Sequence, residues 1–139
     1  MSSSQLAFFS SKLFAVSGAS ADPSKFGNII LNHYLSNKYK VIPINPRGGK
    51  IQDLECATSI QEFIQLAKSK FNLEPNQLSL SIVTPPAISE KTIFAAIEAG
   101  IKNIWLQPGS EPSGYKEMAI KNNVSIIGGG PCVLVSSAM

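Results

Sequence analysis

The pattern of apolar and polar positions divides this chain into alternating strands and helices. Five short runs are apolar at nearly every position and rich in β-branched or aromatic residues, which is typical of strands buried on both faces. Between these runs, apolar residues recur at helical spacing, as they do in the segment from Ile60 to Ala67. The predicted strands cover residues 13–17, 40–45, 78–84, 103–107 and 124–128.

This alternation predicts a Rossmann-like α/β fold, because parallel strands need crossover connections that are usually helical. We expect a doubly wound, parallel, five-stranded sheet of order 3-2-1-4-5 with helices on both faces, formed by one domain over residues 1–139. Ligands of such sheets bind outside the carboxyl ends of the strands, beside strand 1. Five conspicuous loops are expected along that edge, at residues 18–27, 45–50, 84–86, 107–109 and 128–132.

Composition narrows the classes of function. The 139 residues are 44% hydrophobic and only 15% charged, which predicts a well-filled core. The 12 basic residues are spread along the chain, so we expect no nucleic-acid-binding face, and no apolar segment is long enough to span a membrane. Two cysteines without metal-ligand spacing indicate a reducing compartment, the cytoplasm, and residues 1–11 lack the arginines of a mitochondrial transit peptide.

The first predicted strand ends in Gly18-Ala19-Ser20 and leads into a helix. A helix N-terminus presents free N–H groups and a positive dipole end, which favours a phosphate-bearing ligand. The loop departs from the G-x-G-x-x-G fingerprint of dinucleotide sites, because Ser20 stands where the second glycine would be. An ordinary strand-to-helix turn without a ligand is the alternative. The candidate ligand contacts are Gly18, Ala19, Ser20, Lys25, Phe26 and Gly27.

The end of the second predicted strand argues against NAD. NAD sites place an acidic residue there for the ribose hydroxyls, but none occurs between Lys38 and Gln52. Arg47 and Lys50 follow the strand instead, and a guanidinium matches phosphate oxygens. This favours a ligand with an extra phosphate on its adenosine end, either coenzyme A (CoA) or NADP. A solvated basic turn is the alternative.

Two further segments fall on the same edge. Thr84-Pro85-Pro86 forms a rigid exit that could line a bound chain or adenine ring, although Pro86 could equally start the next helix. Gln107 offers both a donor and an acceptor, whereas Trp105 is expected in the core. Small-molecule contacts are therefore expected at Thr84, Pro85, Pro86 and Gln107.

The inventory of catalytic side chains is poor. His33 is the single histidine and lies within a predicted helix, and the nine acidic residues are scattered, so no triad, paired-carboxylate site or metal cluster can be assembled. Cys132 follows three glycines, and inert packing is expected for it, with a redox or acyl-accepting thiol as the alternative. The sequence therefore favours binding over catalysis.

Together these motifs resemble the CoA-binding domain family. That family comprises small free-standing Rossmann-like proteins, and the same domain forms the N-terminal part of the succinyl-CoA synthetase alpha subunit. The Pro-x-Asn-Pro and Trp-Leu-Gln-Pro-Gly pieces are the more specific ones. The matching segments occur in family order within residues 13–135 and comprise 18–27, 39–46, 84–86, 98–109 and 130–132.

The resemblance implies a CoA site along the predicted edge. The pyrophosphate would rest on residues 18–20 and the following helix, with the 3′-phosphate adenosine end near Asn45, Pro46, Arg47 and Lys50. The synthetase's phosphorylated histidine lies in a second domain outside the matched segments, so ligase activity is not expected. The approach to Cys132 also departs from the Asp-Arg-Cys sequence usual in the free-standing proteins.

We therefore expect a protein that binds CoA or acyl-CoA without evident catalytic machinery. The alternative is an NADP-binding, oxidoreductase-like domain. Neither a nucleic acid nor a membrane is an expected partner, and the sequence leaves open a homodimer or a partner protein.

Overall fold

A computed structural model describes residues 2–136, which form a parallel five-stranded sheet between two layers of helices. The sheet strands are β1 Leu13–Ser17, β2 Val41–Ile44, β5 Leu78–Ile82, β6 Asn103–Leu106 and β7 Ser125–Ile127, and a small antiparallel hairpin adds β3 Lys50–Ile51 and β4 Leu54–Glu55. The helices are α1 Ser3–Phe9, α2 Phe26–Ser36, α3 Ile60–Phe71, α4 Pro86–Ala99, α5 Tyr115–Asn122 and α6 Val133–Ser136, with a 3₁₀ turn at Pro75–Gln77.

The fold class is confirmed, and the position of one strand is corrected. All five strands are parallel and helices cover both faces, as expected. The strands lie in the order β2-β1-β5-β6-β7, so the third long strand pairs with β1 rather than lying outside β2 as the order 3-2-1-4-5 requires. Hydrophobic periodicity does not distinguish these arrangements, because both bury the same apolar runs. The observed order places the loop after β5 directly beside the loop after β1.

The central strand β5 has a different character on each face. Leu78, Leu80 and Ile82 pack into the core beneath α3 and α4. Ser79 and Ser81 point to the opposite face, where both are buried and hydrogen-bonded. The Ser79 hydroxyl donates to the carbonyl oxygen of Phe8 over 2.7 Å, and the Ser81 and Tyr34 hydroxyl oxygens lie 2.6 Å apart. Burial also raises the pKa of Tyr34, so this phenol stays neutral and hydrogen-bonded.

The second helical layer begins with α1, which the sequence pattern did not predict. Ser2 and Gln5 form a capping box that starts this helix. Phe8 is fully buried, with its ring centroid 5.6 Å from that of Phe14 and 5.2 Å from that of Trp105. Helix α1 thus covers β6 and β7 on the face that α2 leaves open, and Trp105 lies in the core as expected.

Within residues 2–136, no helix combines the length and the apolarity that crossing a bilayer requires. The longest, α4, has 14 residues.

The packing of α1 predicts a large difference between two of its residues. Phe8→Ala should lower the free energy of unfolding by about 3–5 kcal/mol, because it removes a fully buried ring from a close-packed aromatic cluster. Leu6→Ala in the same helix should cost under about 1 kcal/mol, because the Leu6 side chain is 56% exposed. Urea unfolding of both variants checks this, and similar small losses would show that α1 is not part of the core.

Candidate functional site

The crevice at the carboxyl edge lies between β1 and β5, where the chain reverses its direction across the sheet. The chain passes from β1 to β2 on one side and returns to β5 on the other, which is the arrangement that opens a ligand crevice. Gly18 follows β1 with φ +92°, and a Cβ there would lie 2.9 Å from methyl carbons of both Val83 and Thr84. Glycine is therefore needed for the backbone angle and for the close approach of the two loops.

Helix α2 begins in direct contact with the end of β1. Gly27 lies in its first turn, and a Cβ there would overlap the carbonyl oxygen of Gly18. The Asn28 amide donates to the carbonyl oxygen of Ser20 over 2.9 Å and holds the connecting loop against the helix. Gly27 thus allows the close packing of helix and strand that the third glycine of the G-x-G-x-x-G loop allows in dinucleotide-binding folds, although it lies at a different spacing from the first glycine.

The N-terminus of α2 is open in the described part of the chain. Its N-cap, Lys25, is exposed and makes no side-chain hydrogen bond to the first turn in residues 2–136. In α2 the Asn28 and Ile29 N–H groups donate to the Lys25 carbonyl oxygen over 3.1 and 3.2 Å, which leaves, within residues 2–136, those of Phe26 and Gly27 at the positive dipole end. This arrangement suits an anion.

The loop before α2 is tied by its own side chains. The Ser20 hydroxyl oxygen accepts from the Asp22 N–H over 3.1 Å. The Asp22 carboxylate accepts from the Ser24 N–H over 2.9 Å and from its hydroxyl over 2.8 Å, and these bonds, with a smaller contribution from the Lys25 charge, lower the pKa of Asp22. The Asp22 charge is thus directed at Ser24, and the Lys25 ammonium is left to solvent or a ligand.

Asn45 connects the end of β2 to the same loop. Its amide donates to the carbonyl oxygen of Ala19 over 2.9 Å, and its side-chain oxygen accepts from the Arg47 N–H over 2.9 Å. Asn45 therefore joins the loop after β2 to the loop after β1 through hydrogen bonds to the backbone of Arg47 and Ala19.

Arg47 and Lys50 extend beyond Asn45 as exposed cations. Pro46 and Arg47 form a turn, and Lys50 begins the β3–β4 hairpin, where the sequence pattern predicted only a loop. The hairpin turns at Gln52 and Asp53, both left-handed with φ of 53° and 64°. Two such residues form a tight two-residue connection, across which Lys50 pairs with Glu55.

The exit from β5 leads directly into α4. Pro86 is the first residue of α4 and Pro85 is its N-cap, so Pro86 starts the helix. The Thr84 and Ser89 hydroxyl oxygens lie 2.8 Å apart, and the Ser89 hydroxyl is 3.0 Å from the Thr84 carbonyl oxygen. The Thr84 side chain is thus committed to the helix start, while Pro85 stays exposed.

A first cavity, the β2-side cavity, opens between the end of β2 and the starts of α3 and α4. It measures about 220 Å³, with walls of isoleucine side chains and a set of hydroxyl groups. It is lined by Ser17, Gly18, Ile44, Pro46, Thr58, Ser59, Ile60, Thr84, Ile88 and Thr92.

Sequence reasoning missed the α3 side of this cavity. Ser59 is the N-cap of α3 and accepts from the Glu62 N–H over 3.1 Å, while the Glu62 carboxylate accepts from the Thr58 N–H over 2.8 Å. The Ser-x-x-Glu spacing is a recognisable helix-start signal and could have placed these residues at the edge.

A second cavity, the β6-side cavity, lies across the Gly18–Thr84 contact. It measures about 340 Å³ and is bounded by the start of α2 and by the loops after β5 and β6. Its lining residues are Phe26, Val83, Thr84, Pro85, Pro108, Gly109 and Ser110.

Gln107 is fully buried rather than displayed at the edge surface. Its side-chain oxygen accepts from the Val133 N–H over 3.1 Å at the start of α6. Its side-chain nitrogen has no hydrogen-bond partner among the residues that the structure describes.

The loop at residues 128–133 is docked onto the segment after β6. The Trp105 indole N–H donates to the carbonyl oxygen of Pro131 over 2.9 Å. The Glu111 carboxylate accepts from the Gly109 and Gly129 N–H groups, each over 2.9 Å. Cys132, in this loop, is a half-buried free thiol. The segment 105–111 therefore determines where Cys132 lies.

Among residues 2–136, no three His, Cys, Asp or Glu side chains converge in a way that could hold a metal ion. His33 lies in the last turn of α2, at the end of the helix away from Gly27, and partial burial lowers its pKa. The predicted contact residues in the loops after β1, β2 and β5 lie together at one edge of the sheet. Gln107, which was also predicted at this edge, is buried.

Comparisons with known proteins agree with this geometry. A family model described as a CoA binding domain matches residues 12–138. A conserved hypothetical protein from Pyrococcus furiosus is 32% identical, with 91% of this chain and 99% of that chain covered and a TM-score of 0.78. Two further proteins share the fold. A hypothetical protein from Pyrococcus horikoshii OT3 is 20% identical, with 94% of this chain and 84% of that chain covered and a TM-score of 0.76. A protein from Thermus thermophilus is 22% identical, with 94% of this chain and 90% of that chain covered and a TM-score of 0.73.

The contact between α2 and β1 reverses the usual effect of a helix substitution. Gly→Ala within a helix normally stabilises by about 1 kcal/mol. Gly27→Ala should instead destabilise, by about 1–3 kcal/mol, because the new methyl group overlaps the Gly18 carbonyl oxygen. Ser36→Ala, at the exposed end of the same helix, is the control and should change stability by under about 0.5 kcal/mol. Thermal unfolding measures both, and a stabilised Gly27→Ala protein would contradict this packing.

Proposed function

Since the chain belongs to the CoA-binding domain family, we propose that it binds coenzyme A or an acyl-CoA along the carboxyl edge of its sheet. The observation that carries this proposal is the pair of cavities on either side of the Gly18–Thr84 contact, next to the open N-terminus of α2. An elongated ligand with an anionic centre fits such a site better than a compact one does.

The pyrophosphate of CoA is proposed to rest on the N-terminus of α2. The free N–H groups of the first turn and the dipole end supply the attraction, and the exposed Lys25 ammonium adds a mobile positive charge. Gly18 and Gly27 let the start of α2 pack directly against the end of β1, which sets the helix N-terminus at the edge of the sheet.

The adenosine end is proposed to occupy the β2-side cavity. Ile44, Ile60 and Ile88 offer apolar surfaces for the adenine ring, while neighbouring hydroxyl groups can bond its polar edge. Arg47 follows Pro46, which lines this cavity, and Lys50 begins the β3–β4 hairpin; their charges are proposed to bind the 3′-phosphate.

The pantetheine arm is proposed to cross β5 towards the end of β6. With strands about 4.8 Å apart, β1 and β6 are separated by about 10 Å, a short span for an extended arm. The β6-side cavity, with its largely apolar lining from Phe26, Val83 and Pro108, lies along this path.

Bound CoA would supply a thiol that carries an acyl group as a thioester. The residues of this chain are proposed to bind and orient that ligand, which makes the protein a small-molecule binder. We propose that it works in the cytoplasm, a compartment in which free thiols such as those of Cys56 and Cys132 persist.

Calorimetric titration with CoA, dephospho-CoA, NADP and NAD tests the proposal. We expect CoA to bind most tightly and NAD most weakly, because no acidic side chain ends β2 to hold the ribose hydroxyls. NADP is the competing ligand, since Arg47 and Lys50 suit its 2′-phosphate as well. Tight NADP binding without a response to CoA would overturn the proposal in favour of an oxidoreductase-like domain.

Replacing Arg47 and Lys50 tests the orientation of the ligand. The double variant Arg47→Ala/Lys50→Ala should weaken CoA binding about tenfold or more and leave dephospho-CoA within about twofold, because charge-assisted phosphate contacts are lost only with CoA. Lys121→Ala, an exposed charge in the last turn of α5, is the control and should change neither affinity. Equal losses for the two ligands would mean that these cations do not contact the 3′-phosphate.

A further inference from the structure

Gln107 holds a hydrogen-bond donor that the folded chain leaves unused. The residue is fully buried, and its side-chain nitrogen has no partner within residues 2–136. An unsatisfied buried donor is costly, and native proteins keep few of them. Other buried polar side chains on the same sheet face, Ser79 and Ser81, are fully hydrogen-bonded, so the state of Gln107 is specific to its position.

The orientation of the Gln107 amide is determined by its neighbour. Its oxygen accepts from the Val133 N–H over 3.1 Å. Exchanging the oxygen and the nitrogen would set an NH₂ group against this N–H and lose the bond. The unused group is therefore the NH₂ donor, and its natural partner is an acceptor such as a carbonyl oxygen.

Gln107 directly precedes the segment that lines the proposed path of the ligand. Gln107 follows β6, and the next three residues, Pro108, Gly109 and Ser110, line the β6-side cavity. Ser110 is itself committed, because its hydroxyl is 2.6 Å from the Gln107 carbonyl oxygen and 3.1 Å from that of Ile82. Of these neighbouring polar side chains, Gln107 keeps the free donor.

We propose that the Gln107 side-chain nitrogen donates to a carbonyl oxygen of the thiol-bearing arm of CoA or of its acyl group. This inference rests on the proposed function. The carbonyl can belong to a pantetheine amide or to an acyl thioester, and both present the same acceptor. The nitrogen is shielded from solvent in the free protein, so binding includes a small movement of the side chains that cover it.

Binding of three ligands to Gln107→Met tests the inference. Methionine keeps the length of the side chain and removes the donor, together with the oxygen that accepts from the Val133 N–H. Adenosine 3′,5′-bisphosphate, which lacks the arm, should bind the variant within about twofold of wild type. A lost hydrogen bond predicts a loss of about three- to tenfold for CoA and acetyl-CoA if a pantetheine amide is bound, and for acetyl-CoA alone if the thioester is bound.

Equal losses for all three ligands, or no loss for any of them, would overturn the inference, because the side chain would then act through the fold or not at all. Gln65→Met, an exposed glutamine of α3, is the matched control and should leave all three affinities unchanged. Failure of the wild-type protein to bind CoA is a separate result that rejects the proposed function itself.

A measurement on the wild-type protein keeps the inference testable if Gln107→Met does not fold. The side-chain amide signals of Gln107 in a ¹H–¹⁵N spectrum should move downfield when CoA or acetyl-CoA is added and stay in place with adenosine 3′,5′-bisphosphate. Signals that remain unchanged with both CoA and acetyl-CoA would overturn the inference.

Discussion

The contact between the Gly18 carbonyl and the first turn of α2 determines the geometry of the whole carboxyl edge. Because Gly27 has no side chain, the helix starts directly on the end of β1, and its free N–H groups lie at the sheet edge. Gly18 is pressed from its other side by Val83 and Thr84. The three loops after β1, β2 and β5 can meet only because two glycines leave this space, and both cavities lie against the contact.

The sheet order and the terminal helices complete the support for this edge. With β5 beside β1, the right-handed crossovers place α3, α4 and α5 on one face and leave much of the other face to elements outside the crossovers. Helix α1 fills that space through Phe8, and α6 begins at Val133 on the oxygen of Gln107. Both ends of the described chain thus pack against β6 and the residue that follows it.

The sequence pattern predicted the class of fold and the convergence of the loops, because buried parallel strands give unmistakable apolar runs. It did not predict the place of β5, since side-chain periodicity carries no information about the neighbouring strand. Helix α1 was not predicted because its seven residues are too few to show helical periodicity, although Ser2 and Gln5 form a capping box. The burial of Gln107 was also missed, because it depends on α6, a contact between residues that are 26 apart in the chain.

The proposed ligand position, at the carboxyl edge of the sheet, can be distinguished from one other place in the fold. The opposite edge offers an alternative, a cavity of about 370 Å³ lined in part by Lys12, Lys38 and Lys40. Backbone ¹H–¹⁵N spectra recorded during titration with CoA distinguish the two edges most directly. We predict the largest shifts at residues 18–22, 24–28 and 47–50 and at Asn45 and Thr84, with Lys12, Lys38 and Lys40 unchanged; the prolines in these loops have no N–H and give no signal. Shifts concentrated at these three lysines, with the first loop unchanged, would contradict the proposed position.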